Sequence, residues 1–275
     1  MQLDAYLQRI GFAGEARPTL ATLRALHRRH VLSVSFENVD VQLQRPLSID
    51  VEAAYEKIVT RRRGGWCYEQ NGLFGWALSE IGLGVTRVAA AGNRAARGDA
   101  AEANHLTLLV DIPGADDGPW LADVGFGGSM LEPIPLREST HRHAPYRVGL
   151  RRLDNERWEF HEHDGSAESC FDFAARAGNE QTLARKCRAL QSDPDSTFVT
   201  TLVVQGRTPE THAALRGIVL RRLTPAQAIE RTLESADDLI ATLSEVFDLN
   251  IPEAADLWPR LLERHRARLA AKPEH

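Results

Sequence analysis

Arg61-Arg62-Arg63-Gly64-Gly65-Trp66-Cys67-Tyr68-Glu69-Gln70-Asn71-Gly72 stands near the point where a helical first third of the chain gives way to a β-rich middle. From about residue 67 to 80 the apolar positions Leu73, Phe74, Ala77, Leu78 and Ile81 fall on one side of a helix, and Gly82 and Gly84 end it. Cys67 is thus at a helix start, just past two glycines. The partial positive charge of a helix N-terminus favours thiolate over thiol, and glycines let a substrate carbonyl approach the backbone. A free cysteine is also a small buried hydrophobe, and the segment alone leaves both readings open.

Upstream, Tyr6, Leu7 and Ile10, then Leu20, Leu23, Leu26 and His27, recur at helical spacing, with Pro18-Thr19 as a break. Residues 32–43 are rich in β-branched and turn types and read as an irregular connection carrying Phe36-Glu37-Asn38. Val51, Ala54, Ile58 and Val59 mark another helix. Downstream, 85–88, 105–112, 120–124, 146–150 and 158–161 are short β-type runs separated by Gly, Pro, Asp and Asn clusters. Residues 113–119 form a hairpin loop between two of them. In the last third, 198–205 and 217–223 read as strands, Thr224-Pro225 as a helix start, and 235–247 and 253–271 as helices. The prediction is an α+β chain: a helical bundle over 1–84, an antiparallel barrel or sheet over 85–190, and a mixed unit over 191–275.

Composition narrows the function. The 275 residues suffice for a sizeable core, and 26% charged with 43% hydrophobic is ordinary for a soluble globular protein. A formal charge of −5 gives no electrostatic reason to expect nucleic acid, and the short basic runs Arg61-Arg62-Arg63 and Arg151-Arg152 sit among acidic neighbours. No segment has the roughly 20 apolar residues of a membrane helix. The N-terminus lacks the layout of a signal peptide. Cys67, Cys170 and Cys187 are widely spaced and odd in number, so neither a disulfide framework nor a zinc site is predicted, and a reducing cytoplasm fits.

A thiolate nucleophile needs a base, and the base an orienting group. Among the ten histidines, His27 and His30 read as a polar helix end. His141, His143, His161, His163 and His275 fall in charged or loop-like stretches, and His212 and His265 among polar helical residues. His105 differs, standing at the mouth of the apolar run Leu106-Thr107-Leu108-Leu109-Val110. Asp123 ends Trp120-Leu121-Ala122 and leads into Val124-Gly125-Phe126-Gly127-Gly128. The hairpin loop sets these strands side by side and antiparallel, bringing His105 and Asp123 toward one end of the sheet. A carboxylate on an apolar strand is costly unless paired, and His105 is its sensible partner.

Arg63-Gly64-Gly65-Trp66-Cys67-Tyr68-Glu69-Gln70-Asn71, His105-Leu106-Thr107-Leu108 and Asp123-Val124-Gly125-Phe126-Gly127 together resemble the arylamine N-acetyltransferase family. So do Tyr6-Leu7-Gln8-Arg9-Ile10-Gly11, His30 with Phe36-Glu37-Asn38-Val39-Asp40, and, more weakly, 192–198. The resemblance implies a Cys67–His105–Asp123 triad and a fold of helical bundle, β-barrel and α/β lid around a cysteine-protease-like core. It implies no tightly bound cofactor and no metal. Acetyl-CoA is the co-substrate, and acetyl passes by a ping-pong route through Cys67 to an arylamine, hydrazine or N-hydroxyarylamine, a reaction of xenobiotic metabolism. By the same carry-over Phe36, Phe126 and Phe198 line an apolar acceptor pocket, and Gly125, Gly127 and Gly128 form the turn where CoA passes. Glu37 and Arg63 are expected to pair near the site. Trp66, where a smaller aromatic is common, and Gly128-Ser129-Met130 leave the acceptor open. An amide synthase using a carrier-bound acyl chain and a papain- or transglutaminase-like hydrolase are the alternatives. Cys170 and Cys187, without a glycine turn or base nearby, read as structural.

Overall fold

The computed structural model describes residues 1–116 and 118–271; Asp117 of the hairpin loop and the last four residues of the C-terminal span, His275 included, lie outside them. The chain begins with helices α1 (Leu3–Arg9) and α2 (Leu20–Ser33), the second capped by Thr19, whose hydroxyl accepts from Thr22 N–H. The connection predicted as irregular contains a two-residue strand β1 (Phe36–Glu37) and one helical turn, α3 (Val39–Gln42). Helix α4 (Val51–Tyr55) is capped by Asp50 and loosens into a π-helical turn at Glu56–Thr60. Helix α5 (Cys67–Ile81) starts at the nucleophile candidate and ends on Gly82, whose φ of 95° is the left-handed conformation a side chain resists.

Strand β2 (Gly84–Gly92) follows, then the single turn α6 (Arg94–Arg97), β3 (His105–Asp111), β4 (Trp120–Ala122), β5 (Ile134–Pro135), β6 (Ser139–His143), β7 (Tyr146–Arg152), β8 (Arg157–His163) and β9 (Glu168–Ala174). They form an eight-stranded antiparallel sheet in the order β5-β4-β3-β2-β9-β8-β7-β6, curled into a half-barrel. After helix α7 (Glu180–Ser192) and the turn α8 (Thr197–Thr200) come β10 (Val203–Arg207), β11 (His212–Arg216), β12 (Val219–Leu223) and β13 (Ala228–Thr232), then α9 (Ala236–Phe247) and α10 (Trp258–Ala270). These last four strands make a second antiparallel sheet that β1 extends at one edge, Phe36 opposite Gln205.

Several sequence expectations are corrected. Thr224-Pro225 starts no helix: Thr224 N–H bonds Gln227 O at 2.9 Å, closing the hairpin between β12 and β13. The Thr224 hydroxyl accepts from the next N–H groups, an arrangement common to helix caps and such turns. The run at 198–205 is helical through Thr200 and becomes strand only at Val203. His212, expected on a helix, lies in β11 and is buried.

Four apolar clusters hold these parts, one of them gathering Phe36, Trp66, Tyr68, Leu106 and Val203 around Cys67. Tyr6, Leu23, Leu26, Phe74 and Leu78 pack against Leu108 and Val110, joining the helices to one face of β3. Val88, Phe160, Phe171 and Tyr146 fill the curl of the sheet. Val204, Leu215, Leu239, Leu243 and Phe247 hold the second sheet on α9. The site lies where these meet.

Candidate active site

The head of α5 is fixed by a buried charge cluster. Trp66 N–H donates to Glu69 Oε2 at 3.1 Å, so a side chain one turn on satisfies a donor the helix start leaves open. Lys57 Nζ donates to the same oxygen at 2.9 Å and lies 3.0 Å from Asp40 and 3.5 Å from Glu37. Burial works against the Lys57 charge, but Glu37, Glu69 and Asp40 overcome it and push its pKa above the ordinary lysine range. Arg63 completes the set, donating to Glu37 at 2.8 Å and to Asp40 at 3.2 Å, the Glu37–Arg63 pair expected from the sequence. Lys57, Asp40 and Glu69 are the members sequence reading missed.

Strand β3 runs antiparallel to β4, Leu108 opposite Ala122, which brings His105 beside Asp123 as the hairpin argument required. His105 Nε2 donates to Asp123 Oδ2 at 2.5 Å. Cys67 stands close enough to the ring to favour its protonated form. With Nε2 engaged by the acid, Nδ1 is left for the sulfur. Burial alone would push the imidazole down, but the Asp123 carboxylate and the contact with Cys67 raise its pKa to about 10. Both contacts favour the protonated ring. Burial would raise the Asp123 carboxyl; His105, Asn71 and Thr107 hold it below the usual range instead.

Asn71 ties the three contributing segments together. Its Nδ2 donates to Leu106 O at 2.6 Å and Asp123 Oδ1 at 3.0 Å, while its Oδ1 accepts from Val124 N–H at 2.9 Å. Lying four residues after Cys67, it shares the nucleophile's helix face. Behind it, Asp123 N–H donates to His27 Nε2 at 3.2 Å, and His27 Nδ1 donates to Leu131 O at 3.2 Å. His30 accepts from Tyr6 Oη at 2.9 Å and donates to Gln70 Oε1 at 3.3 Å, and Gln70 in turn donates to Gly65 O at 2.6 Å. Neither histidine is the polar helix end expected from the sequence; both are fully buried. Their i, i+3 spacing beside Leu23, Leu26 and Val31 was the available signal.

Cys67 and His105 open onto a cavity of about 780 Å³, also lined by Phe36, Phe126, Phe198, Gly125 and Gly127. Phe126 meets the His105 ring edge-on at 5.2 Å, and Phe198 lies 6.3 Å from Phe36. Asn38 secures the far side: its Nδ2 donates to Phe198 O and Thr201 O, and its Oδ1 accepts from Val203 N–H. Gly128 is not part of the lining; its carbonyl accepts from Arg207 at 2.6 Å. Gly125 has a packing reason of its own, since a Cβ there would stand 2.7 Å from Cys67 Cα. Among the described residues no group of His, Cys, Asp and Glu has metal-binding geometry. The arrangement can generate a thiolate, hold a flat apolar ring beside it, and move a proton through His105.

A sequence profile of the N-acetyltransferase family matches residues 19–256. The arylamine N-acetyltransferase of Mycolicibacterium smegmatis is 34% identical over 96% of this chain and 98% of its own length. That of Escherichia coli is 31% identical, covering 92% of this chain and 90% of its own. Among solved structures, the Mycobacterium marinum arylamine N-acetyltransferase in complex with CoA superposes with a TM-score of 0.85. It is 31% identical and covers 96% of this chain and 98% of that one.

Proposed function

The chain belongs to the N-acetyltransferase family, and from that premise we propose that Cys67, His105 and Asp123 are the catalytic triad with which it moves acetyl from acetyl-CoA to an aromatic amine. The supporting observation is the His105–Asp123 hydrogen bond beside Cys67, with sulfur and imidazole both opening onto one large cavity lined in part by Phe36, Phe126 and Phe198.

The chemistry follows from the charges. The Cys67 sulfur attacks the thioester carbonyl as thiolate, and the C–S bond to CoA breaks. CoA leaves as its thiol with the proton of the His105 imidazolium, so the acetyl-enzyme carries a neutral imidazole. An arylamine is a weak base and is neutral near pH 7. It attacks the Cys67 thioester, gives its proton to His105, and the sulfur departs as thiolate, restoring the starting pair. Asp123 fixes the ring and stabilises each imidazolium. Phe36, Phe126 and Phe198 would flank the acceptor ring, and Gly125 and Gly127 would let the pantetheine arm pass.

Three free thiols support a reducing, cytoplasmic setting, and a cleft lined in part by aromatic rings suits foreign aromatic amines and hydrazines. Among the described residues no helix is long and apolar enough to cross a membrane. Intact mass after mixing with acetyl-CoA is the test. One acetyl group is expected on Cys67, discharged by anisidine or hydrazine and absent from Cys67→Ala. Acetylation surviving in that variant would place the nucleophile elsewhere.

A further inference from the structure

Around the triad the cavity lining mixes aromatic rings, Phe36, Phe126 and Phe198, with polar side chains. Glu162 of β8 brings a carboxyl to it. Its Oε2 is shielded from solvent and makes no hydrogen bond of good geometry; the Ser129 hydroxyl alongside, itself without another partner, is the nearest donor and favours the ionised form. Unserved buried polar atoms are rare and costly in folded proteins.

The placement points at the acceptor. Phe126 lies 5.2 Å from the His105 ring and 5.8 Å from the Phe160 ring. Phe160 and Glu162 are two residues apart on one strand and share a face, with Glu162 about 7 Å further along. His105, Phe126 and Glu162 therefore line one cavity with the reacting sulfur, Phe160 packing behind Phe126 in the core. An aromatic ring stacked on Phe126 with its amine at Cys67 would share the cavity with that carboxyl.

Apart from Ser129, the neighbours are charges and a phenol. Tyr146 faces it from β7, Asp164 and Asp123 add negative charge, and Arg216 of β11 is the nearby cation favouring its ionised form. Arg221 of β12 is already engaged, donating to Asp164 at 2.9 Å. Burial outweighs the favourable contacts and pushes the Glu162 pKa up to about 7.

We propose that Glu162 is a specificity-determining residue for the acceptor, receiving a hydrogen bond from a second donor group, hydroxyl or amino, on the ring position opposite the reacting nitrogen. This rests on the reading of the cavity as the acceptor site. A site holding an unpaired polar group discriminates strongly against analogues that leave it unpaired.

The experiment compares 4-aminophenol with p-toluidine, nearly equal in size, as acceptors discharging preformed acetyl-enzyme of the wild type, E162Q and E162L. The wild type is expected to prefer 4-aminophenol by about tenfold or more, the preference growing between about pH 6 and pH 8 as the carboxyl ionises. E162L should lose the preference. E162Q, keeping size and an acceptor oxygen, should keep part of it with no pH dependence, and it holds the test open if the leucine variant misfolds. An acceptor ratio equal in all three proteins overturns the assignment. A wild type that takes no acetyl group on Cys67 would overturn the function itself, a separate readout of the same samples.

Discussion

Cys67 is the least exposed of the two thiols that line the cavity, at 3%, and this makes its reactivity a sharp test. Accessibility alone favours Cys170, which is half-buried. Burial and the carboxylates Glu159 and Glu168 raise the Cys170 thiol, and burial pushes Cys187 up to about 12. Of the three, only Cys67 has the Asp123-bonded His105 ring against it. Limiting iodoacetamide followed by peptide mapping should therefore find Cys67 alkylated first; Cys170 labelled ahead of it would mean that His105 does not activate the sulfur. The three proposed triad positions each have a local signature: a helix start, a strand mouth, and an acid stranded on an apolar strand. Each signature alone also fits a structural residue, and only their combination and the family resemblance singled them out. Asn71, Lys57 and His27 were not legible, because their partners lie far along the chain: Asp123, Asp40 and Leu131. A buried polar side chain looks like a surface one until the fold supplies its partner.

At the scale of elements, the site depends on how closely the turn after β4 approaches the start of α5. A Cβ on Gly125 would stand 2.7 Å from Cys67 Cα, 2.8 Å from Asn71 Nδ2 and 3.1 Å from Cys67 O. Two of those atoms belong to backbone at the helix head and cannot swing aside. Gly125→Ala is expected to cost about 1–3 kcal/mol through overpacking. Since the displaced atoms carry the nucleophile, single-turnover acetylation should slow by about 10- to 100-fold. Urea unfolding and rapid-quench acetylation measure the two effects, and a variant acetylated at the wild-type rate would show that the turn can retreat without moving Cys67. Elements with a strong period, α5 and β3 above all, were read correctly from the sequence. Misreadings came where local chemistry is shared between structures. Thr224-Pro225 offers a hydroxyl to following N–H groups in a hairpin just as at a helix cap, and the apolar run after Phe198 fits a helical turn as well as a strand.

For the whole molecule, the buried histidines set the response to acid. Burial is the leading cause in each case, pushing His27 and His212 down to about 4 and His30 and His143 to about 3. A histidine whose folded pKa is depressed is neutral in the native chain while the unfolded chain binds a proton below about pH 6.5. Their contribution to stability is therefore intact above that pH and lost as pH falls from about 6.5 toward 4. Each unbalanced proton changes stability by about 1.4 kcal/mol per pH unit. Glu162, raised to about 7, opposes one of the four between its ordinary range and pH 7. His105, raised to about 10, contributes below 6.5 and is lost only as pH rises through 10, outside this window. Three of the four depressed rings, as neutral acceptors, hold parts of the site: His27 for Asp123 N–H, His30 for Tyr6, and His212 for Tyr146. Protonating them should loosen triad and cavity wall together. Melting temperature is thus expected to fall steeply from pH 7 to about pH 5, with acetyl-enzyme formation lost over the same interval. A melting temperature flat across that range would mean that these rings are protonated in the native chain, or are not buried as neutral acceptors at all.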